Sequence, residues 1–510
     1  MEYVVPVLTS LFTPNYITLM LLGTAMGIVF GGIPGLNATI ALTIVIPFTF
    51  RMPPELGIAL LMSVYIGGIS GGFISATLIG IPGTNSSIAT CYDAYPMSQN
   101  GETNKALGTG IVSSFMGTFI SILIAMVLCQ YIAQIAIQLG PWEYFSLCIC
   151  ALSLIIALAE DNIFKGMGSA FIGMILGCMG VSPIDASYRF SFGVNHLTGG
   201  INLLGMMLGV FAVKMIAVNY AKGSQKMPPS ASARMKGFGI TREDLRNNRL
   251  NIVRSFLIGL WCGFLPGLGG NVANLVSYAQ AKKASPYPEK FGKGCVDGVW
   301  AAEISNNSAI GGAIIPTISL GIPGDSITAM LLGALMIHGV NPGPLLITTR
   351  PILVYTIFVG GLLAAVYTLI MQYFSMRLFP RILSAPYHYL YASIIFLCMA
   401  GAFTATNTTF NMGVVVAAGA FSVILSYIGC PIAPMVLGFI IAPLIETNLR
   451  KGLTYSSDGF ITFLTRPVSA FFLLIGIASV AICLWSQYKS RRLRSGAASS
   501  APEGTEAEGV

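Results

Sequence analysis

The sequence predicts an all-α polytopic membrane protein of about 12 membrane segments, built as two repeats of inverted topology with re-entrant broken hairpins. Three observations predict it. The chain is 55% hydrophobic and 9% charged over 510 residues, where a soluble protein carries about 25% charged residues. Its long apolar runs lack the two-residue alternation of barrel strands, which leaves helices. And one broken apolar hairpin occurs twice. Gly27-Ile-Val-Phe-Gly31-Gly-Ile-Pro34-Gly35-Leu36-Asn37 returns as Gly259-Leu-Trp-Cys-Gly263-Phe-Leu-Pro266-Gly267-Leu268-Gly269. Each copy is followed by a Pro-Glu step, at Pro54-Glu55 and Pro288-Glu289, and then by a second break, Gly80-Ile81-Pro82-Gly83 or Gly321-Ile322-Pro323-Gly324. Three landmarks in one order, about 230 to 240 residues apart, mark an internal repeat. Paired Gly/Pro interruptions in two hydrophobic halves point to a secondary transporter and its binding site.

Apolar segments can be read at about 16–33, 35–50, 57–80, 106–138, 142–159, 164–181 and 200–220. They resume at about 253–265, 268–281, 294–321, 326–338, 343–377, 387–404, 412–445 and 460–488. A bilayer core needs about 20 helical residues, so several segments are too short to cross, and three are long enough to hide a kink or a second span. The division that follows is 1–218 as first membrane repeat, 219–254 as basic linker, 255–445 as second repeat, 446–488 as terminal membrane segment and 489–510 as disordered tail.

The net charge of +8 gathers in a few loops, the mark of cytoplasmic surfaces rather than of nucleic-acid binding. The 219–254 linker holds eight Lys and Arg against Glu243 and Asp244, and the tail opens on Lys489, Arg491, Arg492 and Arg494. Both are expected in the cytoplasm. The short arm from Arg254 to Pro266 and its return to Lys282, Lys283, Lys290 and Lys293 have basic ends on both sides, which predicts a re-entrant hairpin with a mid-membrane tip. The first copy lacks these charges, hence the expected inversion. Met1-Glu2-Tyr3 has no basic n-region, so no cleaved signal peptide is expected. The ten cysteines form no Cys-x-x-Cys pair and read as packing residues rather than a disulfide or zinc framework.

Pro34, Pro82, Pro266 and Pro323 each remove a backbone donor, and Gly35, Gly83, Gly267 and Gly324 permit the reversal that follows. Helix ends then lie inside the membrane, where they are tolerable only in protein or against a wet cavity. Their N-terminal ends suit a carboxylate, while carbonyls and neutral oxygens suit a sodium ion. The polar side chains beside them are the candidate substrate contacts: Asn37, Thr39, Thr84, Asn85, Ser86, Asn271, Asn274, Ser326 and Thr328. Each also reads as an ordinary N-cap. Asp325 is the sole acid among them and suits a cation or a cap. Glu303 and Asn306 lie in an unusually polar helical segment, 297–312; Glu303 reads equally as a coupling carboxylate or a buried strut. Asp297 fits the interface, His196, His338 and His388 read as structural, and the Gly-x-x-x-Gly pairs as packing faces.

The stretches GIPGLNATIAL, LIGIPGTNSSIAT with DAYPM, GFLPGLGGNVAN, and 278–344 almost without a break resemble the large membrane subunit (TctA-type permease) of the tripartite tricarboxylate transporter family. The resemblance covers essentially the whole chain. It implies a bacterial inner-membrane carrier working with a small TctB-type membrane subunit and a periplasmic TctC-type binding protein that captures a tricarboxylate, dicarboxylate or aromatic acid. Uptake would be driven by an ion gradient; the chain has no Gly-x-x-x-x-Gly-Lys-Ser/Thr nucleotide loop. Gly269-Gly270 stands where the first repeat has Asn37, so the two hairpins are not expected to supply identical ligands. A channel and a membrane-embedded enzyme are the competing classes. No His-Glu-x-x-His helix or Gly-x-Ser-x-Gly elbow supports an enzyme.

Overall fold

The computed structural model describes residues 3–157, 163–182, 184–221, 237–383, 387–456 and 458–499. Among them helices carry nearly all the regular structure; the one sheet pairs Gly180–Val181 with Tyr188–Arg189. Among the described residues seven helices are long and apolar enough to cross a membrane, and six shorter apolar helices accompany them. The protein is an all-α, multi-pass membrane protein.

The chain opens with α1 (Val4–Leu11), α2 (Pro14–Gly32), α3 (Ala38–Thr49) and α4 (Pro54–Ile79). Glycines let α2 touch α4 backbone to backbone. A Cβ on Gly23 would come within 2.9 Å of the Leu60 carbonyl, and Cβ atoms on Gly27 and Gly31 would collide with the carbonyls of Val64 and Gly68. The contacts advance together along both helices, so α2 and α4 run parallel and α3 runs back between them. After the second break come a 3₁₀ turn at Asn85–Ser87, α5 (Ile88–Gln99), α6 (Thr103–Ile137), α7 (Pro141–Ala157) and α8 (Ile163–Gly177). A helical stretch follows as α9 (Leu203–Met207), a π-helical turn at Leu208–Val213, and α10 (Lys214–Ala221).

The second motif is α11 (Arg242–Phe264), α12 (Gly269–Ala284), α13 (Val296–Ser319) and α14 (Ser326–Ile337). Here Cβ atoms on Gly259 and Gly263 would collide with the carbonyls of Ser305 and Ala309, so α11 and α13 are again parallel. The first arm is longer than the expected 253–265. Thr241 and Asp244 close a capping box that starts the helix at Arg242, and Lys105 pairs with Asp244 at 2.9 Å. Asn248 donates to the Asp297 carboxylate at 2.8 Å and Asn251 to the Asp297 carbonyl at 2.9 Å. The start of α13 therefore lies beside the start of α11, and α12 has retraced the path of α11.

The remainder is α15 (Leu346–Thr349), α16 (Pro351–Ser375), α17 (Phe379–Leu383), α18 (Tyr387–Thr406), α19 (Thr409–Tyr427), α20 (Ile432–Thr454), α21 (Ile461–Thr465) and α22 (Pro467–Ser499). The apolar run 412–445 is two helices, interrupted at Gly429 with φ 78°. The tail is helical through its basic run as far as Ser499, where a disordered segment was expected from residue 489; residues 500–510, and 222–236 of the linker, lie outside the described residues.

Side-chain contacts fix the directions of the central helices. Ser114, Thr118 and Ser121 of α6 meet Glu303, Asn307 and Gly311 of α13 in order, so these two are parallel. Helix α16 runs against α6, through Tyr355 with Gln130 and Gly361 with Ile122. It runs along α4, through Gly361 with Met62 and Gln372 with Ser70. Helices α4 and α13 thus point in opposite directions.

Candidate functional site

Each broken hairpin delivers helix starts to the middle of the molecule because its turn reverses the chain there. Gly35 and Gly267 both adopt φ 86°, a conformation that costs a side-chain-bearing residue and suits glycine. In the first motif Asn37 caps α3, its Oδ1 accepting from the Ile40 N–H at 2.9 Å. Thr84 Oγ1 lies 3.1 Å from Ser86 Oγ and 3.2 Å from Ser87 Oγ at the second break. In the second motif Asp325 caps α14. Its Oδ1 accepts from the N–H of Ile327 at 3.1 Å, the N–H of Thr328 at 2.7 Å and the Thr328 hydroxyl at 2.8 Å. The Tyr65 hydroxyl, from the first motif, reaches Asp325 Oδ2 at 3.4 Å. The two breaks of the second motif are tied directly, Gly267 N–H donating to the Gly324 carbonyl at 2.7 Å.

All four breaks open on one cavity of about 230 Å³. Asn37 and Thr39 line it from the start of α3, Thr84, Asn85 and Ser86 from the 3₁₀ turn, Gly267 to Asn271 from the tip and start of α12, and Asp325 and Ser326 from α14. Asn85 and Asn271 are exposed there. Among the described residues Asp325 is the single ionisable side chain in the lining, and no Lys, Arg or His contributes. Positive potential comes instead from the starts of α3 and α12, whose N–H groups carry the helix-end partial charge, while that of α14 is met by the Asp325 carboxylate. The arrangement offers amide and hydroxyl donors to an anion, and carbonyl, hydroxyl and carboxylate oxygens to a cation.

Four sequence candidates stand behind this lining. Asn274 is fully buried, accepting from the Ala89 N–H at 2.7 Å and donating to the Ala302 carbonyl at 3.2 Å. It joins α12 to α5 and α13. Thr328 spends its hydroxyl on the Asp325 capping box. Glu303 is fully buried between α5, α6 and α13; it accepts from the hydroxyls of Thr90 at 2.5 Å and Ser114 at 3.4 Å and from Asn307 Nδ2 at 3.3 Å. Asn307 continues the network to Ser70 at 2.8 Å and Thr118 at 3.3 Å. Asn306 is fully buried with neither amide atom in an aligned hydrogen bond. Its Oδ1 faces Gly270 so closely that a Cβ there would come within 2.5 Å. Of the break residues themselves, Gly267 reaches the cavity, while Pro34, Gly35, Pro82, Gly83, Pro266, Pro323 and Gly324 shape the turns outside its lining.

Sequence reasoning missed four lining residues away from the breaks, Ile69, Phe211, Ala433 and Leu437. These are ordinary apolar residues, and no local signal distinguishes them. It also missed Asp93, buried on α5, whose Oδ1 accepts from the N–H groups of Gly292 at 2.8 Å, Gly294 at 3.0 Å and Cys295 at 2.8 Å, while Oδ2 accepts from Tyr278 at 2.8 Å. An acid inside an otherwise uncharged helix was the available signal.

A protein of Agrobacterium vitis described as "Uncharacterized 52.8 kDa protein in TAR-I ttuC' 3'region" is 31% identical over 480 residues, 94% of this chain and 95% of that protein. A second from the same organism, "Uncharacterized protein in TAR-II ttuC' 3'region", is 32% identical over 234 residues, 46% of this chain and 97% of that protein. No solved structure matches. The family model described as "Tripartite tricarboxylate transporter TctA family" matches residues 17–437, a span that takes in both broken hairpins and every residue of the cavity. On that match the chain belongs to the tripartite tricarboxylate transporter TctA family.

Proposed function

We propose that this chain is the permease subunit of a binding-protein-dependent secondary transporter that takes up small organic carboxylates across the bacterial inner membrane, driven by a sodium or proton gradient. One observation carries the reading: four helix interruptions, far apart in sequence, meet at one polar cavity, as transporter sites built from broken helices do. In this reading the carboxylate lies against Asn37, Thr39, Thr84, Asn85, Ser86, Asn271 and Ser326, and the coupling cation at Asp325. Asn274 and Thr328 hold the helix ends in place. Glu303 and Asn306 form a second polar layer behind Gly270 that senses or shares the coupling ion. The opposite directions of α4 and α13, with α2 and α11 parallel to them, support inverted repeats that expose the site to alternate sides. Family membership supports the partners, a small membrane subunit and a periplasmic binding protein.

The test is uptake into proteoliposomes holding this chain and its small partner, under an imposed sodium or proton gradient, with and without candidate binding proteins. Saturable uptake that requires one gradient and a loaded binding protein is the expected result. Robust uptake by the single chain would remove the binding-protein dependence, and flux that never saturates would replace the carrier by a channel.

A further inference from the structure

The polar contacts of the cavity leave part of its lining unexplained. Phe211, Ala433 and Leu437 also line it, and they come from outside both hairpins. Ala433 and Leu437 belong to α20 and Phe211 to the π-helical turn. That turn interrupts a helix between α9 and α10; π turns exchange the i→i+4 hydrogen bonds of an α-helix for i→i+5 ones and are frequent at functional sites. Here its neighbours Val210 and Ala212 are fully buried while Phe211 is only partly covered, at the cavity wall.

The lining therefore combines two chemistries. Helix-end N–H groups, amides and hydroxyls suit one carboxylate. A second or third carboxylate would have to share the same small lining with the phenyl ring and the α20 side chains, against which burial of a charge without a partner is costly. No cationic side chain in the lining offsets such charge, and Asp325 opposes it. At about 230 Å³ the space is below the roughly 300–1,000 Å³ of pockets for drug-sized ligands.

We infer that the cavity takes a small monocarboxylate with an apolar aliphatic or aromatic body, its carboxylate at the hairpin tips and its body against Phe211 and Leu437, and that Phe211 sets the size limit. The inference rests on the carboxylate-permease reading above and narrows it to one substrate class.

The experiment measures equilibrium binding of radiolabelled benzoate, hexanoate and tricarballylate to the purified full chain in detergent with saturating sodium. The wild type, Phe211→Ala and Phe211→Leu are compared after monodispersity has been checked. Benzoate and hexanoate are expected to bind at least about tenfold more tightly than tricarballylate. Phe211→Ala should weaken benzoate about tenfold and admit the larger 2-naphthoate, with Phe211→Leu between the two. A change in the order of ligands is the decisive readout, since a structural defect would weaken all acids alike. Tricarballylate binding as tightly as benzoate, with the order unchanged in both variants, would overturn the inference and leave the permease reading standing. No binding of any acid to monodisperse protein, together with no gradient-driven uptake by the complex, would overturn both.

Discussion

Asp93 illustrates how this chain uses a buried charge as a fastener. Its carboxylate takes three backbone N–H groups from the 292–295 loop and one tyrosine hydroxyl, pinning the entry of α13 to α5. Removing the acceptor leaves the Cys295 N–H and the Tyr278 hydroxyl buried and the Gly294 N–H half-buried without it, and each unmet buried donor costs about 1–3 kcal/mol. Asp93→Ala should therefore destabilise the protein by more than about 3 kcal/mol, read as a lowered melting temperature in detergent, with Asp93→Asn recovering part of the loss. An unchanged melting temperature would show that the loop is held by other contacts. At this scale the sequence was legible where polar residues follow a Pro-Gly break. Asn37, Thr39, Thr84, Asn85, Ser86, Asn271, Asp325 and Ser326 all reach the cavity. It did not show that Asn274 and Thr328 stand behind the lining, where hydrogen bonds to neighbouring helices and to the Asp325 cap hold them. It was silent for Phe211 and Leu437, whose role depends on which distant helix they face.

Backbone-close packing does for the helices what Asp93 does for the loop. Without a hydrophobic drive between helices in lipid, small residues that admit close approach supply the adhesion. Gly31 meets the Gly68 carbonyl with no room for a methyl group. Gly31→Ala should cost about 1–3 kcal/mol by forcing α2 from α4. Gly168, exposed in α8 with nothing near its missing Cβ, provides the contrast: Gly168→Ala should be neutral or stabilise by about 0.5–1 kcal/mol through helix propensity. Equal effects in thermal melts of the two variants would refute the packing account. The Gly-x-x-x-Gly pairs were readable as packing faces from spacing alone. The length of α11 was not, since its first turns are polar and a hydropathy reading starts only at the apolar run. The Thr241-x-x-Asp244 box was the overlooked signal. The break in 412–445 was hidden for the opposite reason, being flanked by apolar residues on both sides.

The whole molecule joins two parallel-helix motifs pointing in opposite directions, with their interruptions facing one another. Repetition of the breaks in sequence made the two motifs visible; which helices lie between them was not, because α6 and α16, which fix the relative directions, carry no repeated signature. The cavity exists only in the assembled molecule, since each motif alone supplies part of the lining and further apolar residues arrive from α20 and the π-helical turn. The central claim is that carboxylate and cation meet in this cavity. It is tested most directly by the substrate and cation dependence of uptake in proteoliposomes holding the chain and its partners, for Asn37→Ala, Asn271→Ala and Asp325→Asn at equal membrane abundance. The two amide variants should raise the substrate concentration for half-maximal uptake about tenfold each, the effect of losing one or two neutral hydrogen bonds. Asp325→Asn, which keeps the cap but removes the charge, should raise the half-maximal cation concentration by at least as much. If all three variants leave both dependences unchanged, carboxylate and cation do not meet in this cavity, and the Glu303–Asn306 layer becomes the next place to look.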